Sequence, residues 1–173
     1  MAARVLQEDT VVQQVSRFID GLVVAAGHLA RLCALAMVVL VTGNVLARYF
    51  FSAGNVGLQE LEWHLISPIA LLGMSYALHQ GEHVRVDVFY ERMPAVVRTG
   101  VDIATALLTM AVGGYLAWLA VPYVESSYAL GQGSPDPGGL PHRFLLKAFI
   151  PIGFGLLALQ ALGFLLRSLG QRR

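Results

Sequence analysis

Residues 60–90, ELEWHLISPIALLGMSYALHQGEHVRVDVFY, decide how this chain is read. Glu60, Glu62, Trp63 and His64 stand directly before the apolar run 65–78. A charged segment follows, in which polar and apolar residues alternate: His83, Val84, Arg85, Val86, Asp87, Val88. An apolar core capped at both ends by aromatic and ionisable side chains is the pattern of a membrane crossing, not of a soluble core helix. The run itself is shorter than the about 20 residues that hydrocarbon requires. A helix over 61–79 supplies the length, with Glu62 and His64 at the headgroup level.

Working outward, the rest of the chain supplies three further crossings. Hydrophobic residues make up 56% of the 173 and charged residues only 13%, about half the charged share of an ordinary soluble domain. The apolar excess falls in four blocks, so the expected fold is an all-α, integral membrane four-helix bundle with spans at about 29–50, 61–79, 101–124 and 144–166. Residues 21–167 form one membrane domain. Before it, residues 1–20 are amphipathic, and Val11, Val12, Val15, Phe18 and Ile19 at helical spacing predict a short helix over 10–20 lying on the membrane surface. After it, 168–173 is a basic cytoplasmic tail. A cleaved leader is not expected, because the first apolar run starts only near Gly21, is too long for a signal core and lacks an A-x-A site.

The connections follow from composition. Residues 52–58, with Gly54, Asn55 and Gly57, predict a tight polar turn, and Gln80-Gly81 end the second helix. The segment 131–141, GQGSPDPGGLP, is too rich in glycine and proline for helix or strand and is expected outside the bilayer. Four spans place Arg4, Arg17, Arg31, Arg85, Arg92, Arg98, Arg167, Arg172 and Arg173 on one side, against Arg48, Arg143 and Lys147 on the other. The excess of basic residues puts both termini in the cytoplasm.

Composition also excludes. A formal charge of +1 offers no field for nucleic acid. Cys33 is the single cysteine, so no internal disulfide, CxxC pair or thiolate cluster exists. Ionisable residues at mid-bilayer are costly and mark pumps and membrane enzymes, yet here Arg31, Arg48, Glu60, Glu62, His64, His79, Arg98, Asp102, Glu125, Arg143 and Lys147 fall near span ends. No catalytic, cofactor or metal site is expected. A haem held by His28 and His79 would need the two rings to face each other from different spans, and both lie at span ends. Gly73 with Ala77, and Gly113 with Ala117, have the small-xxx-small spacing of close helix contact, within the bundle or to a partner. Pro68 and Pro151 are expected to kink their helices. In the loop after the second span, Arg85 and Asp87 face the same way in an extended strand, either as a solvated connector or as a docking edge.

These residues also carry a resemblance. Arg48-Tyr49-Phe50-Phe51 closes the first span, and Gln59-Glu60-Leu61 with Trp63-His64 opens the second. Leu72-Gly73 and then His83-Val84-Arg85-Val86-Asp87 follow. Gly133-Ser134-Pro135-Asp136 runs through to Gly139-Leu140-Pro141, ahead of Lys147 and Pro151-Ile152-Gly153. In this order, over about residues 20–166, the set resembles the small membrane subunit (Q component) of tripartite ATP-independent periplasmic, or TRAP, transporters. The resemblance implies a partner role without catalysis. In that family a large membrane subunit carries the sodium sites and the elevator-like moving unit, and a periplasmic solute-binding protein delivers an organic anion, often a carboxylate. The small subunit, embedded in membrane lipid, widens the fixed scaffold and helps receive the binding protein. Arg48, Tyr49, Glu60, Glu62 and Trp63 are then candidates for orienting the first two spans or meeting the large subunit. Ser134 to Pro141 is a candidate contact for the binding protein, Lys147 is a further partner-contact or helix-orienting candidate, and His83, Arg85 and Asp87 would pin the cytoplasmic loop. Two rival classes are a membrane anchor of a respiratory complex, holding haem or quinone, and a small self-sufficient exporter, which needs an embedded carboxylate that these span cores lack.

Overall fold

The computed structural model describes residues 2–81, 90 and 92–170. Among them are four helices: α1 (Ala2–Phe51), α2 (Val56–Gln80), α3 (Ala95–Ala129) and α4 (Arg143–Gly170). They run alternately up and down, and α4 is the hub, packing on α3, α2 and α1, while α1 also lies along α2.

Three of the helices are long and apolar enough to cross a membrane by length and composition, over 13–51, 95–129 and 143–168. The second helix has the length, 25 residues, but Glu60, Glu62, His64 and Pro68 dilute its apolar character.

The first helix corrects the expectation of a separate surface helix over 10–20. α1 is unbroken for 50 residues, about 75 Å at 1.5 Å per residue, and continues well past the span. Gly21 does not interrupt it, because a single glycine costs a helix only about 1 kcal/mol. Ser16, Ile19, Val23, Gly27 and Ala30 are all buried. Their three-and-four spacing makes a stripe that faces the bundle, with Ile19 against Gly163 of α4 and Gly27 against Tyr76 of α2. Of the residues that made the amphipathic pattern, Ile19 faces the bundle, while Val15 and Phe18 are 42% and 68% exposed. Beyond Ala30, Asn44 is the one buried residue on α1.

Two glycines decide how close the helices lie. A Cβ on Gly153 of α4 would sit 2.6 Å from Leu71 Cβ and 2.8 Å from Leu71 O, and one on Gly113 of α3 would sit 3.1 Å from Phe154 O. Of the two small-residue pairs, the one at Gly113 therefore works inside the bundle. The one at Gly73 does not, since a Cβ there meets nothing within 4 Å.

The turns are shorter than expected. Asn55 caps α2, its Oδ1 accepting the Leu58 N–H at 3.3 Å, so the helix begins at Val56 and the turn is only 52–55. At the far end Gly81 (φ 76°) closes α2, its N–H reaching the Ala77 and Leu78 carbonyls.

Candidate functional site

The polar side chains that sequence scattered along span ends gather into two layers, one at each end of the bundle. In the outer layer, at the α2 N-terminus, Glu60 is only 4% exposed. Its Oε2 accepts the Leu140 N–H at 2.6 Å, and its Oε1 accepts the Ser134 hydroxyl. One carboxylate thus holds both ends of the 134–140 loop, whose own ends meet through Ser134 N–H to Leu140 O at 3.0 Å. Inside the loop, Gly139 N–H donates to Asp136 O at 3.0 Å. Pro137 fixes the first corner of that turn and Gly138 (φ 84°) supplies the left-handed second. Gly139 has no alternative, since a Cβ would stand 2.3 Å from Ser134 Oγ and 2.8 Å from Glu60 Oε2.

The Ser134 and Leu140 hydrogen bonds hold the Glu60 carboxyl below the usual carboxylate range; partial burial opposes them, and Arg143 and His64 assist from farther off. One turn on, His64 Nδ1 donates to Glu60 O at 2.8 Å. Glu62 accepts from Asn44 Nδ2 of α1 at 3.0 Å. The chain just before the loop is tied by Gln132, whose Oε1 accepts from Ser127 at 2.9 Å and from Lys147 Nζ at 2.7 Å. Lys147 also lies 4.0 Å from the centre of the Tyr123 ring. Arg48, Tyr49, Trp63 and Pro141 are exposed around this end, Tyr49 at 81% and Trp63 at 61%. His83, Arg85 and Asp87 lie outside the described residues.

The inner layer was missed by sequence reasoning. Asp20 of α1 accepts from Arg167 Nη1 of α4 at 2.7 and 2.8 Å, and His79 Nδ1 of α2 lies 3.2 Å from the same carboxylate. Gln160 of α4, fully buried, places Nε2 3.3 Å from Asp20 and 3.2 Å from His79 Nδ1. Since one ring nitrogen cannot donate to Asp20 and accept from Gln160 at once, His79 must choose. This cluster joins three helices. The signal for it was Gln160, an amide alone in the apolar run 148–166 and costly there without partners; nothing in the sequence pointed to Asp20 as its mate.

His79 is therefore spoken for by Asp20 and Gln160, while His28 is exposed, so the two do not form a facing pair for haem. Among the described residues there is no group of three or more His, Cys, Asp or Glu able to hold a metal.

Helix rise sets the spacing of the layers: about 26 Å from Glu62 to His79, about 30 Å from Lys147 to Arg167 and about 36 Å from Asn44 to Asp20. These values bracket the hydrocarbon thickness of about 30 Å. What lies between is mostly apolar, with His28 and Arg31 of α1 the ionisable exceptions.

Comparison with known proteins agrees with this architecture. The family model described as tripartite ATP-independent periplasmic transporters, DctQ component, matches residues 37–171. The ectoine TRAP transporter small permease protein TeaB of Halomonas elongata is 28% identical over 138 residues, covering 80% of this chain and 70% of the relative. The chain belongs to the DctQ family, the multi-pass inner-membrane small permease components of TRAP transporters.

Proposed function

We propose that this chain is the static brace of its transporter: a four-span bundle, both termini cytoplasmic, that seats a large transport subunit and takes no solute itself. The observation that carries the reading is the pair of polar layers closed by the chain's own side chains. Glu60, Glu62, His64 and Lys147 in one layer, and Asp20, His79 and Arg167 in the other, each have a partner within the chain, so these groups are engaged before any solute or sodium arrives. The spacing of about 30 Å supports a crossing for α2 as well, despite its weaker apolarity, with Glu60 and His79 at opposite headgroup regions. The excess of arginine on the Asp20 side supports the cytoplasmic orientation.

The surfaces left open support a partner. On α1, Tyr49, Phe50 and Phe51 are more than 60% exposed. On the outer face, the tied loop with Asp136 and Pro141 exposed is our candidate contact for a periplasmic solute-binding protein. The solute is an organic anion in this reading, through the family. The relative's ectoine is not carried over, because the residues that choose a solute lie on the other subunits.

The test is affinity purification of the tagged, detergent-solubilised chain from membranes co-expressing its transporter. A large multi-span partner and no Soret absorbance are expected. A flavin or iron–sulfur partner, or uptake by the chain reconstituted alone, would overturn the proposal. Arg85→Ala and Asp87→Ala are expected to lower the yield of complex; unchanged yield and uptake in both would remove the role assigned to that loop.

A further inference from the structure

At the inner end of the α1–α2 seam, Arg31, Tyr76 and Gln80 stand together with more donors than acceptors. Arg31 Nη2 donates to the Tyr76 hydroxyl at 2.7 Å, and the guanidinium carbon lies 4.8 Å from the centre of the same ring. Gln80 Nε2 donates to that hydroxyl as well. The hydroxyl accepts twice, so its own hydrogen points away from both donors and needs an acceptor. Among the described residues no carboxylate forms an ion pair with Arg31; the ion pairs there are those of Asp20.

The arrangement is built in. The Tyr76 ring lies so close to α1 that a Cβ on Gly27 would stand 2.2 Å from Cδ2, so only glycine admits it. Ring and hydroxyl together fix a guanidinium that is otherwise exposed.

Three kinds of donor are therefore left over at a corner where Arg31 and Gln80 are exposed: the remaining guanidinium N–H groups, the second amide N–H of Gln80 and the Tyr76 O–H. An oxygen-rich anion satisfies such a set, with arginine the usual partner of phosphate. The source of the phosphate is set by what lies next to it. Leu35, Val38 and Val39 follow Arg31 at helical spacing toward mid-bilayer, exposed by 63%, 61% and 66%, which makes an acyl-chain track directly below the donors. We propose that Arg31, Tyr76 and Gln80 hold the phosphate of an anionic glycerophospholipid whose chains lie along 35–39 of α1. The site depends on the membrane location of the bundle and not on which protein partners it.

The test uses the full chain in detergent, with bound lipid counted by native mass spectrometry against phosphatidylglycerol, diacylglycerol and glycerol 1-phosphate. Phosphatidylglycerol is expected to bind at least about tenfold more tightly than either of the others, since the first lacks the charge-assisted bonds and the second the chains. Arg31→Gln is expected to weaken it about tenfold and Tyr76→Phe, which keeps the ring on Gly27, about fivefold. Thermal unfolding of both variants without lipid serves as the folding control, and Tyr76→Phe, an isosteric change, keeps the test open if Arg31→Gln misfolds. Equal binding of phosphatidylglycerol by wild type and Tyr76→Phe would overturn the site. Equal binding of diacylglycerol would remove the phosphate from it, and equal binding of glycerol 1-phosphate would assign the donors to a soluble phosphate and overturn the lipid.

Discussion

Glu60 shows how one side chain ties distant parts of this chain together. It sits on α2, and both groups that it binds, Ser134 and Leu140, lie in the connection between α3 and α4. Because those bonds hold the folded carboxyl below its ordinary value of 4.5, the stability it lends is present above that value and is lost as pH falls through the folded one. Hydrogen exchange at the Leu140 amide, corrected for its intrinsic rate, is accordingly expected to stay protected at pH 5 and to lose protection only below the ordinary carboxylate range. Loss of protection already between pH 7 and 5 would contradict the bond. Gly139→Ala places a methyl against the same carboxylate and is expected to destabilise the loop by about 1–3 kcal/mol, seen as faster exchange at Leu140 with helix content unchanged. The sequence announced Glu60 and the glycine-rich loop separately, each as outer-face residues. Their joining was not legible, because 74 positions separate Glu60 from Ser134 and no periodicity links a helix start to a remote loop.

At the scale of the elements, the question is why α4 became the hub. Its Gly153 lets Leu71 of α2 approach, Gly113 of α3 lies against Phe154 and Ala158, and its Gln160 and Arg167 reach Asp20 of α1. Gly153→Val is expected to push α2 from α4 and to cost about 2 kcal/mol of unfolding free energy. Gly73→Val, with open space around it, is expected to stay within about 0.5 kcal/mol; thermal unfolding in detergent measures both. For the inner cluster, a double-mutant cycle on Asp20→Asn and Arg167→Gln is expected to give a coupling of about 1 kcal/mol, small because the Arg167 side chain is 36% exposed. A coupling of zero would show that the pair does not join the helices. Four apolar blocks and their order were readable from hydropathy and turn residues, while the helices run past the apolar cores by five or six residues at the start of α2 and at both ends of α3. The unbroken α1 was not readable, because hydropathy marks where an apolar block starts and not whether the helix continues beyond it. The second helix was readable only by crediting its charged ends to the headgroups.

At the scale of the whole molecule, the proposed brace is rigid: two polar layers lie about one bilayer apart, each bonded within the chain, and motion during transport is expected in the partner. A bundle that rocked internally would have to break these bonds or slide α3 along α4 in every cycle. The direct measurement is uptake by the complete reconstituted transporter carrying Gly113→Cys and Ala158→Cys in a Cys33→Ser background. A Cβ at position 113 stands 3.4 Å from that of Ala158, close to the separation of about 3.5–4.5 Å that a disulfide spans. With α3 and α4 cross-linked, uptake is expected to equal that of the reduced form. Uptake that stops on oxidation and returns on reduction would contradict the brace, because the chain would then have to move within itself.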